Sequence, residues 1–159
     1  MIPDLRELSG APWKVLPPGV HPASLAEVSD YFASNPHRRD LFNGLMVAAK
    51  ALAKAHVQYV YLDGSFVTGK PIPNDYDACW DPRGVIHGLL DPVFLDFDNK
   101  RANQKIKYKG EFFPFHIDAG TGQAFIDFFQ TETFTGQKKG IVLIDLKSES
   151  FESIKEMQT

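Results

Sequence analysis

The sequence predicts an α/β domain in which two helices precede a small sheet, and three observations carry that prediction. Ser24 followed by Glu27 forms a helix-opening capping box. Leu41, Leu45, Ala48, Ala49 and Leu52 recur at helical spacing. After them the composition turns to β-branched and aromatic residues, beginning with VQYVYL at 57–62.

Taken in chain order, residues 1–22 hold Pro3, Pro12, Pro17, Pro18 and Pro22 without sustained periodicity. This predicts an extended N-terminal arm lying over a single domain of residues 23–159. The first helix starts after Ser24 and stops near Asn35-Pro36, with Leu25, Val28 and Phe32 on its apolar face. The second runs from about Arg38 to His56, and Arg38, Arg39, Lys50 and Lys54 fall off its apolar stripe. VQYVYL reads as a buried strand ending at Asp63-Gly64, and YDACW (76–80) as a short second strand. EFFPFHID (111–118) reads as a third, which Pro114 confines to an edge or a bulge. Between these, GVIHGLLDPVFLDF suggests a short helix broken near Asp91-Pro92, followed by the basic stretch NKRANQKIKYKG. GQAFIDFFQ (122–130) is predicted helical and GIVLIDL (140–146) is the final strand.

The chain has 159 residues, enough for one domain that buries roughly two thirds of its unfolded surface. Thirteen phenylalanines indicate a filled core, not a disordered chain. The single cysteine, Cys79, cannot form an internal disulfide, and no Cys/His cluster has zinc spacing, so a reducing, cytoplasmic setting is expected. No basic segment followed by an apolar core opens the chain and no run approaches the ~20 apolar residues of a membrane span, so neither export nor a membrane partner is expected. Seventeen Lys and Arg against 20 Asp and Glu give a net charge of −3, which argues against a whole-protein electrostatic grip on nucleic acid.

The chemistry concentrates in YLDGSFVTGKPIPNDYDACW, residues 61–80. On a strand, residues i and i+2 share a side, so Asp75 and Asp77 place their carboxylates together with Tyr76 turned away. Their repulsion raises one pKa or recruits a cation. A hard divalent ion with oxygen ligands, Mg²⁺ above all or Mn²⁺, relieves it, taking its other ligands from water and substrate phosphates. Gly64 at the strand end lets backbone amides approach a phosphate, and the Ser65 hydroxyl and N–H can hold it. Two-metal displacement at phosphorus wants a third carboxylate, for which Asp118, at the end of FPFHID, is the candidate.

A strand, Gly64-Ser65, Asp75-Tyr76-Asp77 on the next strand and a later Asp118 resembles the signature of the DNA polymerase β-type nucleotidyltransferase superfamily. More narrowly, LPPGVHPASL with DGSFVTGKPIPNDYDA is similar to a family of small stand-alone prokaryotic nucleotidyltransferase-like proteins, over nearly the whole chain. The resemblance implies a nucleotidyltransferase fold, a small mixed sheet flanked by helices. It also implies Mg²⁺, an NTP such as ATP, and transfer of a nucleoside monophosphate to a hydroxyl of a protein, RNA or small-molecule acceptor. Small members often work with a cognate partner protein in toxin–antitoxin or phage-defence pairs. Larger members place a helix between the Gly-Ser turn and the Asp pair, whereas Pro71 and Pro73 leave little room for one here, so phosphate contacts are expected from the loop, which carries Lys70.

Each of these residues also has a plainer reading. Lys70 suits a solvated loop and Asp118 suits a turn cap beside Gly120 and Gly122. The basic residues Lys100, Arg101, Lys105, Lys107 and Lys109 suit a wet helix face, or a nucleic-acid contact with Tyr108 stacking on a base. Lys138-Lys139 suits a charged strand edge or a triphosphate contact. His116 is a general base or a satisfied sheet histidine, Cys79 a buried hydrophobe or a pocket residue, and Phe66 the phenylalanine best placed to pack near a nucleotide. The alternative function is a non-catalytic module that keeps the fold and binds a partner protein or nucleic acid.

Overall fold

Ser24 caps α1 (Leu25–Phe32): its hydroxyl accepts from the Glu27 amide at 3.1 Å, and the Glu27 carboxylate accepts from the Ser24 amide at 3.2 Å. Leu25, Val28 and Phe32 face the core. In this computed structural model residues 1–115, 130–132 and 134–151 are described. The helix expected over 122–130, save its last residue, and both His116 and Asp118 lie outside them.

The first helix stops at Phe32, close to the expected Asn35-Pro36, and that pair also begins the second. Asn35 accepts from the Arg38 amide at 2.8 Å and Pro36 takes the first position of α2 (Pro36–Lys54), where a missing N–H costs nothing. The apolar stripe of α2 is buried, and so is Arg38, although its position in the sequence falls off that stripe.

Four of the five strands among the described residues follow in sequence: β2 (Tyr59–Asp63), β3 (Tyr76–Trp80), β4 (Gly110–Pro114) and β5 (Gly140–Asp145). The fifth, β1 (Gly19–Pro22), comes from the proline-rich N-terminal segment. They form one mixed sheet in the order β1-β5-β2-β3-β4, with β1–β5 and β3–β4 parallel and β5–β2 and β2–β3 antiparallel. Pro114 sits on β4 at the sheet edge, where its missing donor breaks no ladder.

Alternation along the strands gives the sheet two unlike faces. Val60, Leu62, Tyr76, Ala78, Trp80, Phe112, Val142 and Ile144 join α1 and α2 in the main core. Tyr61, Cys79, Phe113 and Ile141 occupy the other face as a smaller cluster. Two short 3-10 turns, His87–Leu89 and Pro92–Leu95, replace the broken helix, and the basic stretch forms α3 (Asp98–Tyr108). Among the described residues no helix is long and apolar enough to cross a membrane.

Candidate functional site

Strand register brings three acids into one row. Asp63 of β2 pairs with Asp77 of β3, and Asp77 pairs with Glu111 of β4. Directly paired residues project to the same face, so the three carboxylates stand side by side on the face away from α1 and α2. Asp75, in phase with Asp77 one residue before β3, joins them.

Cations compensate the row unevenly. Lys139, next to β5, donates to Asp63 at 2.7 Å, both groups being buried. Burial pushes the Asp63 pKa up against the pull of that ammonium. Arg101 and Lys105 of α3 reach Glu111 at 3.1 and 3.0 Å. Burial works to raise Glu111, but hydrogen bonds from Lys105 and Asp77 and the Arg101 charge outweigh it and hold the carboxyl below its usual range. For Asp75 burial and the Glu111 charge prevail over Lys105, Lys70 and Arg101, and its pKa rises.

Among the described residues no cation pairs with Asp77. Burial first, then a hydrogen bond to Glu111 and the charges of Asp75, Glu111 and Asp63, push its pKa up to about 8. When it is ionised, its buried Oδ1 has no donor among the described residues; when it is protonated, it is hydrogen-bonded to Glu111. A cation in place of that proton would satisfy the oxygen and the row of charges together.

The Gly-Ser turn is built against this carboxylate. Gly64 has φ 85° and ψ −172°, a combination essentially restricted to glycine. A Cβ there would also stand 2.8 Å from Asp77 Oδ2, so the close approach of turn and acid needs glycine twice over. Ser65 then opens a single 3-10 turn, Ser65–Val67. Beyond it the loop is fastened by the start of α2. The Arg38 guanidinium, 4 % exposed, donates to the carbonyls of Phe32 at 3.0 Å, Phe66 at 2.7 Å, Thr68 at 2.8 Å and Lys70 at 2.6 Å. Asn35 bonds the Pro71 carbonyl at 2.9 Å, His37 bonds that of Pro73, and the Thr68 hydroxyl bonds Ser65 O at 2.6 Å. A loop with two prolines thus gains the rigidity that a helix would give it.

Gly64, Ser65, Lys70, Asp77 and Lys139 line one cleft of about 340 Å³. Asp75 and Glu111 stand outside its wall, beside Asp77. Among the described residues no three His, Cys, Asp or Glu side chains form a ready-made metal cluster, so a cation here would draw on one or two carboxylates and take its other ligands from water and substrate. The donorless Oδ1, oxygen ligands alone and a glycine-shaped cradle all fit a hard divalent ion.

Three residues of the site escaped the sequence reading: Glu111, Asp63 and Arg38. For Glu111 a signal existed. On the strand expected from residue 111, alternation puts Glu111 on the face opposite Phe112. Other candidates resolve to plainer roles. Phe66 is fully buried among Phe32, Tyr76 and Arg38, not beside the cleft. Tyr108 is buried and stacked on Phe94 at 4.7 Å, so its face is closed to a base. Cys79 is buried, which pushes its thiol pKa well up and leaves it a small hydrophobe. Lys107 pairs with Asp91 and Lys109 approaches Asp40 at 4.0 Å, so two of the five basic residues of the stretch serve the fold.

Comparison with curated proteins and with solved structures gives no match. Residues 11–145 match the profile of a family of unknown function, DUF6932, and the chain, matched over most of its length, belongs to that family.

Proposed function

We propose that the protein has a nucleotidyltransferase fold and transfers a nucleoside monophosphate from an NTP to an acceptor hydroxyl with Mg²⁺ bound at Asp75 and Asp77. The observation that carries this reading is the buried, donorless oxygen of Asp77 in a row of like charges, set against a glycine-only turn in a cleft. Magnesium there would neutralise and polarise the phosphoryl group. Ser65 and the Gly64 turn hold phosphate, and Lys70 and Lys139 face the same cleft as further cationic partners. Glu111, paired with Asp77 across β3 and β4 and hydrogen-bonded to its protonated form, is the described acid that could serve as a third carboxylate beside the one expected at Asp118. Acceptors of three kinds, a protein, RNA or small-molecule hydroxyl, suit this chemistry.

A second reading, a module that binds without turnover, is favoured by the pairing of Asp63 with Lys139 and of Glu111 with Arg101 and Lys105, which occupies two acids of the row. Incubation with each labelled NTP, Mg²⁺ and a cell lysate separates the two. Transfer predicts label on protein, RNA or a small molecule and release of pyrophosphate; label nowhere, with NTP still bound, selects the module.

Two binding results are expected. Calorimetry should detect NTP binding with Mg²⁺ or Mn²⁺ and lose it in EDTA, because carboxylates and triphosphate repel without a bridging cation. Equal affinity in both conditions would remove the metal-bridged site. Ser65→Ala should weaken NTP binding by ~1.5–3 kcal/mol, the worth of one hydrogen bond to a charged group. An unchanged dissociation constant would take Ser65 out of the phosphate site.

A further inference from the structure

We propose that the cleft contains a nucleobase clamp, with Trp13 and Phe134 as its two jaws. The inference rests on the nucleotide reading above and adds to it what holds the base. Both rings line the cleft that Gly64, Ser65, Lys70 and Asp77 also line. Trp13 is 39 % exposed and Phe134 75 % exposed, so each ring keeps free surface that the core does not use. The cleft is therefore lined both by polar and charged groups and by two aromatic rings, the two kinds of contact that a nucleotide calls for.

The backbone fixes both jaws relative to the phosphate turn. Trp13 sits on an N-terminal ribbon closed by an Arg6–Val15 bridge, and Val15 bridges in turn to Thr68 of the Ser65–Lys70 loop. The Gly69 amide donates to Lys14 O at 2.8 Å, so the residue after Trp13 is tied directly to that loop. Phe134 sits on a tight turn that the buried Glu132 carboxylate organises, accepting from the amides of Phe134 at 2.9 Å and Thr135 at 2.7 Å. A Thr131–Lys138 bridge closes this turn next to Lys139, the partner of Asp63. The two carriers also touch: Gln137 donates to Ser9 O at 2.8 Å. Ring, turn and acid thus form one frame, and a base entering it gains π-stacking without ordering a loose loop. Every base has a π-face, so the clamp holds the nucleoside without choosing among the four bases.

The test measures binding of magnesium complexes of the four ribonucleoside triphosphates and of inorganic tripolyphosphate to the full chain by calorimetry. The wild type should bind nucleoside triphosphates ~5- to 100-fold more tightly than tripolyphosphate, the range for stacking one base. Trp13→Ala and Phe134→Ala should each remove most of that preference and leave tripolyphosphate affinity unchanged. Trp13→Phe, which keeps a stacking face, should retain most of it, and a thermal melt of each variant shows that the fold persists. Equal affinity of the wild type for the triphosphates and tripolyphosphate overturns the clamp but keeps a triphosphate site. Alanine variants that weaken both probes equally also overturn it. Binding of neither probe overturns the clamp together with the nucleotide reading.

Discussion

Asp77→Asn is expected to suppress transfer by ~10³-fold or more, the upper range for losing one electrostatic stabiliser of a phosphoryl transition state, while the variant melts at a higher temperature than the wild type. Both effects have one cause. The carboxylate that would meet a cation stands in a partly buried row with Asp63, Asp75 and Glu111. Its folded-state pKa of about 8 lies above the ~3.9 of an unfolded aspartate. The neutral form therefore favours folding, and that contribution is complete below about pH 4 and lost as pH rises toward 8. Asparagine stays neutral throughout. In EDTA the two proteins should melt together near pH 4, and the advantage of the variant should widen up to about pH 8 and then level off. Differential scanning calorimetry across that range checks the stability half, and labelled-NTP transfer checks the catalytic half. A variant that melts below the wild type at neutral pH would make Asp77 a structural residue; one that transfers at the wild-type rate would end the catalytic assignment.

Arg38→Met is expected to cost on the order of 4 kcal/mol of stability, since three buried carbonyls and one half-buried one lose a charged donor at once and methionine replaces only the aliphatic stem. At this chain length each kcal/mol moves the melting temperature by about 2–4 °C, so the variant should melt roughly 8–16 °C lower. Lysine should recover little of this, because a single ammonium cannot span carbonyls from Phe32 to Lys70 as the planar guanidinium does. Three of the four carbonyls belong to the loop that carries Ser65 and Lys70, so NTP affinity should fall with stability. Wild-type melting by Arg38→Met would show that the guanidinium's own desolvation offsets its bonds.

Local rules made the helices and strands legible. The capping box set the start of α1, the 3.6-residue period set α2, and β2, β3 and β5 lie within a residue or two of the runs that announced them. At Asn35-Pro36 two local rules act together: the first helix stops just before the pair, and the pair itself caps the second helix two residues ahead of the expected Arg38. Arg38 was misplaced because a charged residue near a helix start reads as exposed unless the carbonyls it meets, 28 to 32 residues later, are known.

The sequence by itself determined the chemistry of one segment: a strand, a glycine-serine turn and two in-phase aspartates, all set by backbone period and by the conformation that only glycine adopts. The partners of that segment were decided by tertiary structure alone. Which strand lies beside β3 is a matter of sheet order, and the parallel pairing of β4 at a register of Asp77 with Glu111 brings in an acid 34 residues away in sequence. Lys139 meets Asp63 across 76 residues for the same reason. The pKa of Asp77 follows from those neighbours and from burial, neither of which is a property of its own sequence position, because desolvation and charge act through distance in space and not along the chain.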